Sequence, residues 1–279
     1  MEKVASLPGW CLVIVADKKT PDELYLQGLA KAQDHVVYLS AKVQEDMAAG
    51  GGALGQFVSG LPWNHFSRKN VGFLFAVGHG AQLIFDFDDD NELKVPNPMP
   101  CENDTADCDR LRVLDPEPLI RGVPEMSAEA KQAAAKQAAP ERWELPVFNP
   151  YPLMGATTST SWPRGFPMQQ IKREQAGWGL VMPTEIQALT TIPLERVAVI
   201  QMLADHDPDV DGIFRLTQLM PFSFRPPPTQ PSVVLGAGTY APTNAQATLH
   251  TRAAMWATLL PKTGGCTAMP SALLNCTAG

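Results

Sequence analysis

The sequence of 279 residues has room for one large domain or two small ones, at roughly 100–200 residues per domain. It is 45% hydrophobic and 18% charged, enough to bury a core, and 29 acidic against 22 basic residues leave it without the basic footprint of a duplex-binding protein. Five cysteines exclude a disulfide-dense scaffold. The longest apolar runs, Trp10–Ala16 and Val71–Gly78, are far shorter than the roughly 20 residues of a membrane span, and no basic flank with a long apolar stretch marks a signal peptide.

Trp10–Ala16 is a continuous apolar run bounded by Pro8-Gly9 and by Asp17 to Pro21, which predicts a strand buried on both faces, as in a parallel sheet. A second strand is expected at His35–Leu39, and Gly50 to Gly52 mark a flexible loop. Val71, Leu74, Phe75 and Gly78 repeat at helical spacing, so Ser67 to Gly80 reads as a helix with Ser67 as N-cap and Gly80 as its stop. The run Gln82–Phe85 then leads as a strand into Asp86-Phe-Asp-Asp-Asp-Asn91. Strand, helix and strand with acids at the last strand's end is an α/β pattern.

Residues 97–145 change character, with a Pro-containing acidic stretch followed by an alanine-biased helix-prone stretch, and read as a surface insertion. The second half resumes at Val147-Phe148, with strands expected at Arg196–Gln201 and Val233–Leu235 and a helix running from the neighbourhood of His250 to Leu260. The last stretch, 261–279, has no periodicity, which leaves 1–260 as a single domain with one insertion. Cys11 is expected in the core, and Cys101 and Cys108 share a loop in which they could pair in an oxidising lumen.

The acidic run Asp86, Asp88, Asp89 and Asp90 is the sharpest chemical signal. Two like charges about 4 Å apart repel by roughly 4 kcal/mol at an effective dielectric near 20, so such a cluster calls for a cation. Carboxylates suit Mg²⁺ or Mn²⁺, which are commonly held by one or two acids together with substrate phosphates. Ligands bind at the carboxyl ends of strands in open α/β sheets, which favours this over a solvated acidic turn. Arg68 and Lys69 fall in the first helical turn, where a cation opposes the helix dipole by about 0.3–1 kcal/mol; a bound diphosphate would reverse that sign, and two exposed surface cations are the simpler reading. Asp205, His206, Asp207, Asp209 and Asp211 form a second acidic cluster able to orient or deprotonate a hydroxyl, or merely a solvated turn. Arg164, within Trp162-Pro-Arg-Gly-Phe-Pro167, is either a phosphate clamp or part of a packed turn. No H-E-x-x-H, C-x-x-C, G-x-S-x-G, Walker or G-x-G-x-x-G pattern is present.

The run Arg68-Lys-Asn-Val-Gly72, Ala76, Gly80-Ala81, Ile84 and Asp86-Phe-Asp-Asp-Asp90 resembles the helix–strand–DxD core of GT-A nucleotide-sugar glycosyltransferases. The resemblance is closer to the STELLO-type family of plants and algae. It is carried by Trp10-Cys11, Ala16 to Pro21, Pro62-Trp-Asn64, Arg68 to Gly72, Phe85 to Asn91, Asn149 to Leu153, Trp162 to Pro167, Leu203 to Asp211 and Tyr240 to His250. It implies a GT-A-like (Rossmann-like) fold with a mixed central sheet and flanking helices, binding a nucleotide sugar, UDP-linked, through Mn²⁺ or Mg²⁺. On that pattern Asp88 and Asp90 hold the metal. Asp17, Arg68, Lys69, Asp86 and Asp89 bind the nucleotide and its diphosphate. An acid among Asp205, Asp207, Asp209 and Asp211 serves the acceptor. The Arg-Gly-Phe-Pro segment is also similar to the Arg-Gly-Tyr-Pro segment of reversibly glycosylated polypeptides, the plant arabinopyranose mutases, whose arginine is self-glycosylated; that points to Arg164. The resemblance further implies a Golgi location and cellulose synthase complex proteins as partners. A non-catalytic factor for assembly or trafficking of that complex is the alternative to an enzyme.

Overall fold

In the computed structural model, the residues described are 7–29, 35–92, 109–114, 148–154, 156, 161–167, 189–202, 210–218, 223–224, 232–233, 235, 241–243, 247–252, 254–255 and 259. In chain order the elements are β1 (Leu12–Val15), α1 (Asp22–Gly28), β2 (Val36–Leu39), α2 (Ala41–Ala49), α3 (Gly52–Ser59), α4 (Lys69–Gly78), β3 (Leu83–Phe87), β4 (Arg110–Leu114), α5 (Pro150–Leu153), β5 (Leu189–Pro193), β6 (Val199–Gln201), α6 (Gly212–Thr217), β7 (Ser232–Val233) and β8 (Ala247–Thr251). The mixed α/β composition is the expected one. Where a single domain over 1–260 was expected, the chain divides into two compact units. The first holds β1 to β3, β6, β8 and α1 to α4, and the second holds β4, β5, β7, α5 and α6.

In the first unit β1 and β2 pair in parallel, with Leu12 opposite Val36 and Val15 opposite Leu39. Side chains alternate across a strand, so this pair serves two cores. Val13, Val15, Val37 and Leu39 pack with Val58, Leu61 and Val71. On the other face Leu12, Ile14 and Val36 meet Leu29 and Phe87. The two-sided burial read from the apolar run is therefore present, although Cys11, just before β1, is exposed rather than in the core. The triple-glycine stretch lies where α2 ends and α3 begins, with Gly51 and Gly52 at φ 72° and 66°, a region that glycine enters without a Cβ penalty.

The second sheet of this unit is antiparallel, in the order β3-β8-β6. β8 is its central strand, buried along its whole length. A helix was expected to begin in the neighbourhood of His250. Its polar residues Thr248, His250 and Thr251 are buried with the rest, because the strand is paired on both edges. β3 starts at Leu83 and runs through Asp86 to Phe87, so the first acid lies inside the strand and not beyond its end.

The helix expected from Ser67 is split. A 3-10 turn at Phe66–Arg68 precedes α4, and the cap is His65, whose Nδ1 accepts from the Ser67 backbone N–H; Ser67 is fully buried. At Gly72 the helix lies so close to β1 that a Cβ would sit 2.7 Å from Val15 Cγ2.

In the second unit β4 is the middle strand of the order β5-β4-β7, with Leu111 and Val113 buried. A surface insertion was expected over 97–145; of that span the described residues 109–114 supply a core strand. An aromatic cluster joins Tyr151, Trp162, Phe166, Phe214 and Phe224 with Val210.

Gly72→Ala should destabilise the first unit by about 1 kcal/mol in urea unfolding. Overpacking against a stiff β-branched side chain costs about 1–3 kcal/mol, of which helix propensity returns about 1. A stabilised variant would show that α4 can back away from β1.

Candidate functional site

The geometry of the site begins at Gln44 of α2, fully buried. Its Nε2 donates to the carbonyls of Ala16 and Leu39, at 2.7 and 2.8 Å, where β1 and β2 end. Its Oε1 accepts from Arg68 Nε at 3.0 Å and from Nη2. Arg68 Nη1 donates to the carbonyls of Val58 and Leu61, both at 3.2 Å, and the guanidinium lies 3.8 Å from the centre of the Trp63 ring. Arg68 is only 4% exposed. Burial lowers its pKa, opposed by the charge of Asp17. Arg68 was expected beside a diphosphate; it is instead a buried clamp whose planar fork ties strand ends, α3 and the start of α4 together. Lys69 follows it directly, so this clamp sets where the next side chain emerges.

Lys69 reaches the end of β3. Its Nζ lies 3.0 Å from Asp86 Oδ1 and 2.6 Å from Asp88 Oδ1. Asp86 is 6% exposed, Lys69 25% and Asp88 38%, so the ammonium sits in a notch whose floor is Asp86 and whose rim is Asp88. Burial pushes the Asp86 carboxyl up to about 6, with Lys69 opposing the shift. Lys69 is raised by the two carboxylates despite its burial. Asp86 was expected to meet a ligand directly; it is the buried partner of this cation. In the register Asp86 lies opposite Thr248, and Thr248 opposite Gln201, so the three share one sheet face. Thr248 Oγ1 donates to Gln201 Oε1 at 3.0 Å.

Beyond β3 a turn is closed by the Asn91 backbone N–H on the Asp88 carbonyl and by the Asp88 N–H on Asn91 Oδ1. It presents Asp89 and Asp90 to solvent. Asp89 accepts from the Tyr25 hydroxyl of α1, which pushes the tyrosine up to about 12. Tyr38 donates to Asp22 at 2.6 Å and anchors the start of the same helix. Asp88 and Asp90 are thus the acids of this edge whose carboxylates could hold a divalent ion; among the described residues no group of three or more His, Cys, Asp or Glu could do so. Asp17, at the end of β1, accepts from the backbone N–H groups of Lys18 and Asn64, at 2.6 and 2.7 Å, and Lys18 lies over the Trp63 ring.

The structure therefore brings Lys69, Asp86, Asp88, Asp89 and Asp90 to one edge, with Asp17 in the same unit. Arg164 and Asp211 belong to the other unit. Arg164 is exposed at the tip of a turn closed by the Phe166 N–H on the Pro163 carbonyl, with Gly165 at φ 82°. Asp211 caps α6 through Oδ1 on the Phe214 N–H and accepts from Trp162 Nε1 through Oδ2, each at 2.8 Å. A general base was expected there; both oxygens are bonded within the structure, and the residue is a cap. Asp205, Asp207 and Asp209 lie outside the described residues, as do Cys101 and Cys108.

No protein-family model matches the chain. It is 27% identical to Probable glycosyltransferase STELLO2 of Arabidopsis thaliana over 264 residues, and equally to Probable glycosyltransferase STELLO1 of the same plant. The chain is similar to STELLO-type probable glycosyltransferases. Each alignment covers 94% of this chain and 29% of the relative. The family resemblance read from the motifs accordingly runs through both units. Among the described residues no helix is long and apolar enough to cross a membrane.

Tyr25, Gln44 and His250 were not singled out for a role in the sequence. Tyr25 and Gln44 act through contacts 64 and 24–28 residues away, a separation no local pattern signals. His250 of β8 is buried, with Nδ1 lacking a partner among the described residues and its ring 6.1 Å from that of Phe73.

Arg68→Met should cost about 3 kcal/mol in urea unfolding, because it strands the Gln44 oxygen and two buried carbonyls. An unchanged midpoint would show the clamp to be dispensable. Burial lowers the His250 pKa to about 4 from 6.5. The folded state then binds fewer protons than the unfolded chain between those values, and stability is lost as pH falls through that window. Asp86, raised, contributes a slope of opposite sign between about 4 and 6. His250→Gln should therefore gain stability relative to the parent as pH falls from 7 to 4, by up to about 3 kcal/mol. A pH-independent difference would overturn this assignment.

Proposed function

We propose that the chain is a GT-A-like glycosyltransferase domain whose β3 edge takes the diphosphate of a nucleotide sugar, UDP-linked, together with Mn²⁺ or Mg²⁺, in a Golgi protein. The observation that carries this reading is the cation-accepting notch: two carboxylates, one within β3 and one just past its end, share an ammonium, beside a turn that exposes two further acids. The relatives are named as probable glycosyltransferases, which supports transfer of a sugar.

The donor set suits the metal. Carboxylate oxygens are hard ligands, and Mg²⁺ or Mn²⁺ is typically held by one or two acids, with waters and phosphate oxygens completing its coordination. Asp88 and Asp90 would supply the acids. When bound, the ion neutralises charge that develops on the departing diphosphate. Lys69 supplies a second positive charge at the same edge, and Tyr25 holds the turn through Asp89. The Arg68 clamp fixes the backbone from which Lys69 reaches, so that binding asks movement only of the lysine side chain.

Calorimetric titration with UDP in the presence of Mn²⁺ tests this. Binding is expected, and Asp88→Ala should weaken it at least about tenfold, or 1.4 kcal/mol. Absence of binding, or indifference to the substitution, would overturn the proposal. Binding without release of UDP from any UDP-sugar would favour the non-catalytic assembly factor.

A further inference from the structure

A second property of the notch follows from what already fills it. Lys69 is the first residue of α4, where a cation is disfavoured by the helix dipole, and its side chain is three-quarters buried. Removing an ammonium from water is costly and is offset only when its partners are close and well placed. Lys69 meets that condition by spanning Asp86 Oδ1 and Asp88 Oδ1. Asp86 in turn is buried within a strand, where an unpaired carboxylate could not be held ionised. One ammonium thus serves both carboxylates of the notch.

A divalent cation held by Asp88 would stand beside the charge of Lys69, which already bonds Oδ1 of that carboxylate. A diphosphate alters that balance by offering the ammonium new acceptor oxygens. Resting on the function proposed above, we infer that Lys69 is a resident counter-ion that keeps the free divalent metal out, so that metal and nucleotide diphosphate are taken up together, with Lys69 passing from Asp88 to a phosphate oxygen. Lys69 is in this sense a specificity-determining residue for the metal–diphosphate pair over the bare ion.

The test reads metal affinity directly, from the paramagnetic resonance signal of free Mn²⁺ titrated into the 279-residue chain with and without UDP. The parent should bind Mn²⁺ at least about tenfold more tightly with UDP than without. Lys69→Gln keeps amide donors toward both carboxylates but removes the charge. It should bind Mn²⁺ alone about tenfold more tightly than the parent, and its gain from UDP should shrink. Lys69→Arg, with the charge retained, should bind the bare ion no more tightly than the parent. If the parent binds Mn²⁺ and UDP together while Lys69→Gln binds the bare ion no better, the inference is wrong and the proposed function stands. If Lys69→Gln does not fold, the parent decides: equal Mn²⁺ affinity with and without UDP overturns the inference. Absence of any Mn²⁺–UDP binding to the parent removes the proposed function and this inference with it.

Discussion

A carboxylate on the inner face of a strand must be given a cation or lose its charge, and Asp86 is such a carboxylate. Its partner comes from the first residue of α4, 17 positions earlier in the chain. Much of the surrounding structure serves to deliver that ammonium. Gln44 closes the ends of β1 and β2, Arg68 locks onto Gln44 and onto the carbonyls at the end of α3, and Lys69 follows in sequence with its direction already set. Gly72 lets the same helix settle against Val15. Polar satisfaction and close packing here act on one helix and constrain each other.

The adjacent basic residues of the helix start divide their work. Arg68 turns inward and is spent on protein acceptors, which suits a planar group with several donors in a fixed fork. Lys69 turns toward the acids, which suits a compact charge on a flexible stem. The acids divide likewise: Asp86 forms the floor, Asp88 the rim, Asp89 is held by Tyr25, and Asp90 faces water. The result is an exposed acidic turn on a rigid buried base, with Lys69 held between its first two acids.

The strands and helix that carry this edge were legible because their patterns are local. Trp10–Ala16 has no polar side, Val71 to Gly78 repeats at helical spacing, and the acids follow directly on an apolar run. β8 was not legible: Thr248, His250 and Thr251 are polar residues buried between two neighbouring strands, and only the pairing with β3 and β6 makes them core. β4 was hidden for a similar reason, since Arg-Leu-Arg-Val-Leu sits in an acidic, proline-containing stretch that reads as surface. Asp211 shows the converse, an acid in a cluster of acids that proves to be a helix cap and the partner of a buried indole.

What the sequence determined by itself was the inventory: an α/β chain, an acidic strand end after a basic helix start, and motifs shared with STELLO-type proteins. Those are properties of neighbours along the chain, where periodicity and charge act over a few residues. Which of the charges faces solvent and which faces the protein was decided only by the tertiary structure. That choice depends on desolvation, and desolvation is set by what packs over a side chain from far away: Gln44 over Arg68, Lys69 over Asp86, and Trp162 against Asp211.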